Sequence, residues 1–110
     1  MRNPYRGDTK RYLFTFQDSG GSPVDITDWT IWFTLKEDED LDDTHAAVQV
    51  SSTAGDDAED SPALGTMFLE VFYDCPAGSY SYDFQRVIAG KATTLDKGQV
   101  SIKQDVTKDV

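Results

Sequence analysis

Apolar and polar residues alternate along two segments in the first third of the chain. In residues 9–17, Tyr12, Phe14 and Phe16 fall on one side and Arg11, Leu13 and Thr15 on the other. In residues 30–36, Ile31, Phe33 and Leu35 face one way and Thr30, Trp32 and Thr34 the other. A period of two is the mark of a β-strand, because successive side chains leave opposite faces of the sheet. Between the two segments, Ser19-Gly20-Gly21-Ser22-Pro23 is turn chemistry. Downstream, the pattern predicts a short strand at 46–52, with Val48 and Val50 inward, and a strong strand at 66–73. A turn at Asp74-Cys75-Pro76-Ala77-Gly78 leads into an alternating strand at 79–87 that carries Tyr80, Tyr82 and Phe84. Ala89-Gly90-Lys91 is a tight connection, and strands at 92–96 and 99–104 close the set, with a bulge or bend at Lys97-Gly98. Short strands separated by turns, about seven in all and without a helix, predict an all-β, antiparallel sandwich.

Reading the strands together assigns a core of Phe14, Phe16, Ile31, Phe33 and Leu69, completed by Val71, Tyr82, Phe84, Val100 and Ile102. One strand departs from the simple rule. In residues 66–73, Met67, Leu69, Val71 and Tyr73 share one face while Phe68, Glu70 and Phe72 share the other. A half-exposed strand should be polar on its solvent side. Two explanations fit: cover by the chain's own loops or the Trp29 region, or a subunit contact. Aromatic residues are enriched at such contacts, which makes Phe68, Phe72 and Trp32 interface candidates.

A length of 110 residues fits one domain spanning 1–110. Charge changes the picture in one region. The chain carries 20 acids against 10 bases, and the segment 37–60 holds ten of the acids with no Lys or Arg. The body is therefore neutral, and one acidic loop region carries the excess. Desolvating each of those charges would cost several kcal/mol, so they belong in water. Residues 53–62 in particular read as a mobile exposed loop, and 105–110 as a frayed tail. Lys10-Arg11 is the largest basic cluster, too small for an electrostatic nucleic-acid surface. No stretch approaches the ~18 apolar residues of a membrane span. Met1-Arg2-Asn3-Pro4-Tyr5 lacks the apolar run of a signal peptide, which predicts an unprocessed start. A single cysteine, Cys75, precludes an internal disulfide and suits a reducing compartment.

Residues for chemistry are sparse. His45 stands in the acidic loop beside Asp43 and Thr44, where nothing would hold it against a nucleophile. One His and one Cys do not make a zinc site, and Cys75 reads as a structural thiol. Abundant acids single out no carboxylate pair for glycoside hydrolysis, and no glycine-rich phosphate loop occurs. Asp38, Asp40 and Asp42 offer hard oxygen ligands at alternate positions and are weak calcium candidates. The Ca²⁺-hand pattern fails from Asp38, because Asp43 and Gln49 stand where Gly and Glu are required. Arg6-Gly7-Asp8 spells an integrin-type tripeptide, but its place just before a strand makes it a launching turn. No enzyme activity and no cofactor are expected.

Three stretches resemble a known group. They are Arg6-Gly7-Asp8-Thr9 with its aromatic strand, Asp18-Ser19-Gly20-Gly21-Ser22-Pro23-Val24-Asp25-Ile26-Thr27 and then Thr30-Ile31-Trp32-Phe33-Thr34-Leu35-Lys36; Pro76-Ala77-Gly78-Ser79-Tyr80-Ser81-Tyr82-Asp83-Phe84-Gln85; and Gly98-Gln99-Val100-Ser101-Ile102 followed by Asp105-Val106-Thr107. This order is similar to small tailed-phage and prophage virion proteins, in particular the N-terminal domain of phage baseplate upper proteins. The resemblance implies an immunoglobulin-like β-sandwich and a structural or assembly role in a tail, baseplate, neck or head. It implies protein–protein contacts with copies of itself and other virion proteins, with no nucleic acid or membrane as partner. The protein would be made in the host bacterial cytoplasm and reside in the virion. The alternative is a sandwich module that binds carbohydrate or a host surface, with Trp29, Trp32, Tyr5 and Tyr73 as ring platforms.

Overall fold

A computed structural model describes residues 4–38 and 46–103. Six strands follow in order: β1 (Thr9–Thr15), β2 (Thr30–Lys36), β3 (Val48–Thr53), β4 (Thr66–Phe72), β5 (Gly78–Ile88) and β6 (Lys91–Ile102), with a 3₁₀ turn at Pro62–Leu64 before β4. β1 and β4 form a two-stranded sheet, and β3-β2-β5-β6 a four-stranded one, every pair antiparallel. The two sheets pack face to face, so the protein is an all-β sandwich.

The register explains the core. In the smaller sheet Tyr12 lies opposite Leu69 and Phe14 opposite Met67. In the larger sheet Phe33 pairs with Phe84 and with Val50, Leu35 with Tyr82, and Tyr80 with Val100. Each of these pairs points between the sheets, where Ile31, Phe33, Leu35, Met67 and Val71 are fully enclosed. Burying one such side chain stabilises the fold by about 1.5–3 kcal/mol. Phe84 is the hub. Its ring lies 4.8 Å from Phe33, and 5.4 Å and 5.3 Å from Tyr12 and Phe14 of the other sheet. The contacts to Tyr12 and Phe14 are edge-on, and such pairs add about 0.5–1.5 kcal/mol each.

Of the ten expected core residues, eight are buried, and Phe14 and Phe16 are only half-buried at its margin. The smaller sheet has only two strands, so β1 reaches the edge of the sandwich and cannot enclose its own aromatic row. Phe16 leans instead on Trp29, ring centroids 5.0 Å apart. Ile26, Tyr73 and Cys75 join the core from connections. Ile26 is carried inward by the segment after Pro23. There the Asp25 carboxylate accepts bonds from the Thr27 amide and hydroxyl, and the Ile26 amide donates to Pro62 O.

The last two expected strands run on as one, β6. Its irregularity falls earlier than Lys97-Gly98: Asp96 pairs with Phe84 but Thr94 with Gln85, leaving Leu95 as the extra residue of a bulge. Gly98 serves close packing. A Cβ there would come within 3.2 Å of the Tyr82 hydroxyl, which donates to Asp96 Oδ2. Ala89 and Gly90 take φ of 49° and 82°, the two left-handed positions of a tight hairpin turn.

Composition predicts a mobile loop at residues 53–62, yet the structure gives this segment a dense hydrogen-bond pattern. Asp60 accepts bonds from the amides of Gly55, Asp57 and, across to β4, Phe68. Asp57 accepts the Glu59 amide and Asp56 the Thr53 amide. The acids are thus acceptors for backbone donors that no strand pairs. A count of charges treats them only as solvated groups, which is why it misses the order.

Candidate functional site

Among the described residues, the side chains considered for chemistry do not converge. Cys75 is 4% exposed, and burial raises its thiol pKa. Asp38 is exposed, while Asp40, Asp42, His45 and the tail 105–110 lie outside the described residues. Among the described residues, no three His, Cys, Asp or Glu side chains come together as a metal-binding group. No helix among them is long and apolar enough to cross a membrane. Arg6-Gly7-Asp8 is a turn. Gly7 has φ 87°, its amide donates to Tyr73 O, and Asp8 Oδ2 accepts the Tyr5 amide. This turn passes the chain from a parallel bridge between Tyr5 and Lys103 to the start of β1 beside β4.

Two outer faces remain, and they differ in chemistry. On the outside of the β1–β4 sheet, Leu13 lies opposite Phe68, and Phe72 opposite Thr9. Leu13 and Phe72 are 56% and 52% exposed. Phe68 is half-buried, because the Arg11 guanidinium lies 3.7 Å over its ring. Arg11 is itself held by Asp57 at 2.7 Å and Glu59 at 3.1 Å, so the acidic loop and a cation together roof this aromatic. The Glu59 amide and then Arg11 keep the Asp57 carboxyl below its ordinary pKa. The chain's own loop therefore covers Phe68 and leaves Phe72 open. Leu13, absent from the expected set, is equally open; its place opposite Phe68 follows only from the pairing of β1 with β4.

Trp32 sits elsewhere. It lies on the outside of the four-stranded sheet, across from Ser51 and Gln85. The structure therefore separates it from Phe68 and Phe72, and these three residues cannot share one flat contact. The other expected ring platforms disperse as well. Tyr73 is fully buried, its hydroxyl 2.6 Å from that of Tyr12. Trp29 is half-buried between Phe16 and the Arg86 guanidinium. Tyr5 is exposed near Lys103.

Beside Trp32 the outer face is hollowed into a groove of about 350 Å³. Thr34 and Lys36 of β2, Ser81 and Asp83 of β5, and Thr94 and Lys97 of β6 contribute to its lining. The bulge at Leu95 builds one wall. Residues three apart on a regular strand face opposite sides, but the extra residue brings Thr94 and Lys97 to the same side. Thr34 forms the floor at 6% exposure, its hydroxyl accepting from Gln49 Nε2 at 3.2 Å. The alternation of the strands contained these residues. Their convergence needed the β2-β5-β6 order and the bulge, which no local pattern encodes.

Compared with known proteins, the chain matches no family model, no curated relative and no solved structure.

Proposed function

We propose that this protein is a non-enzymatic structural component of a phage virion that works through protein–protein contacts. The observation that carries the reading is the outer face of the β1–β4 sheet, where Leu13 stands open beside the roofed ring of Phe68, and Phe72 stands open beyond the Arg11–Glu70 pair. Leaving two such side chains in water forgoes about 1.5–3 kcal/mol each, which a neighbouring subunit would recover. The resemblance of the strand and turn segments to baseplate-type virion domains supplies the setting: the virion, assembled from protein made in the host cytoplasm. The partners are copies of the chain itself and other virion proteins.

Sedimentation of the wild type and of a Leu13→Ser, Phe72→Ser variant tests the contact. These positions are chosen because Phe68 is packed against Arg11, and its loss would disturb the loop. The wild type is expected to self-associate or to co-sediment with the products of adjacent genes, and the double variant to remain folded and lose that association. A wild type that stays monomeric with every such partner removes the proposal.

A further inference from the structure

We infer that the groove beside Trp32 is a binding site for a neutral glycan. The inference stands apart from the virion reading, since it uses the opposite face of the sandwich and no self-association. The first ground is the chemistry of that face. The paired strands of this sheet present only Lys36, Asp83 and Lys97 as charged side chains on their outer side. Hydroxyls and amides make up most of the rest, among them Ser51, Thr94, Gln49, Gln85 and Gln99. A surface made to meet sugar hydroxyls carries groups that both donate and accept, as these do.

The second ground is shape and order. A groove of about 350 Å³ reaches the lower end of the roughly 300–1,000 Å³ range of ligand sites. Its floor is set before any ligand arrives: the Thr34 hydroxyl is buried and oriented by Gln49, and Gln85 Nε2 donates to Asp83 Oδ2 at 3.4 Å. Trp32, 37% exposed, lies outside that lining, one step along the same face of β2 from Thr34. A pyranose ring presents aliphatic hydrogens on one face and hydroxyls at its edge. An indole beside amides, hydroxyls and one carboxylate matches both.

Other ligand classes fit less well. A polyanion needs clustered cations, and here Asp83 lies directly across from Lys97. A peptide strand would add to an open sheet edge or fill apolar pockets, and this groove lies on a sheet face with a polar lining.

The test uses ¹⁵N-labelled full-length protein titrated separately with cello-, malto-, manno- and galacto-oligosaccharides and with an oligogalacturonate. The Trp32 indole signal is assigned from a Trp32→Phe variant. At least one neutral sugar is expected to shift that indole and the Lys97 and Gln99 amides saturably at millimolar concentration. Asp83→Ala and Trp32→Ala are each expected to weaken binding tenfold or more while thermal unfolding shows both variants folded. Three outcomes overturn the inference: no sugar shifts these signals at 10-millimolar order, folded variants bind as the wild type does, or only the oligogalacturonate binds. A wild type that binds sugar but stays monomeric with every partner would strike the virion proposal alone.

Discussion

Single residues hold this sandwich at a few identifiable points. Phe84 touches aromatic rings of both sheets, and Phe33 is fully enclosed beside it. Truncating either to Ala removes transfer energy and leaves a cavity, so a loss of about 3–5 kcal/mol is expected in urea unfolding. A loss below about 1 kcal/mol at both would contradict the packing described. Gly65 is constrained in a different way. Its φ is 76°, and a Cβ would meet Phe16 O at 2.5 Å and Val24 O at 2.8 Å, both backbone atoms. Gly65→Ala combines left-handed strain with a clash that no side-chain rotation relieves, and about 2 kcal/mol or more of destabilisation is expected. If Gly65→Ala melts like the wild type, the close approach of the 16–24 and 62–66 segments is wrong. Asp60 serves three amides at once. Asp60→Ala strands those donors, a cost of about 1–3 kcal/mol. Faster hydrogen exchange at Gly55, Asp57 and Phe68 is the local readout; unchanged exchange at all three would show that the carboxylate is dispensable.

At the scale of elements, the loop at 53–62 shows how charge becomes structure. Arg11 of β1, pinned by Asp57 and Glu59, roofs Phe68 of β4, so the loop ties both strands of the smaller sheet. The Asp57 carboxyl is held below its ordinary pKa, by the Glu59 amide first and Arg11 after it. A depressed folded-state value means the contribution is fully present above the unfolded pKa of about 3.9 and is lost as pH falls through the folded value. NMR titration should therefore show the Glu59 amide and the Arg11 side-chain signals unchanged from neutral pH to about pH 5, then moving together below about pH 4. A midpoint above the ordinary carboxylate range would reverse the assigned direction. The bulge in β6 works at the same scale. One extra residue, Leu95, re-aims Thr94 and Lys97 onto one side and so turns a sheet face into a groove.

Across the whole molecule, the smaller sheet presents two open apolar side chains, Leu13 and Phe72, on either side of the Arg11–Glu70 pair, and the larger sheet a hydroxyl-rich grooved face. The proposed self-association through Leu13 and Phe72 would work against a net charge of −10, so sedimentation of the wild type should show association strengthening as salt is raised from about 10 mM to 0.5 M, because screening shortens the reach of like-charge repulsion. Association that weakens with salt would point to an ion-paired contact in place of the apolar one. Alternation along the chain is enough to place the strands, their inward faces and most of the core. Alternation at Ile31-Phe33-Leu35 or Tyr80-Tyr82-Phe84 is a local signal, and burial of such a row has one solution in a sheet. It also disclosed that Phe68 and Phe72 face away from the core. What those outward residues meet depends on how the strands pack together. Arg11 and Asp57 are 46 positions apart, and Thr34, Asp83 and Lys97 come from three strands. Such convergence depends on sheet order, register and one bulge. A period-two pattern says which face a side chain takes and nothing of which strand lies beside it.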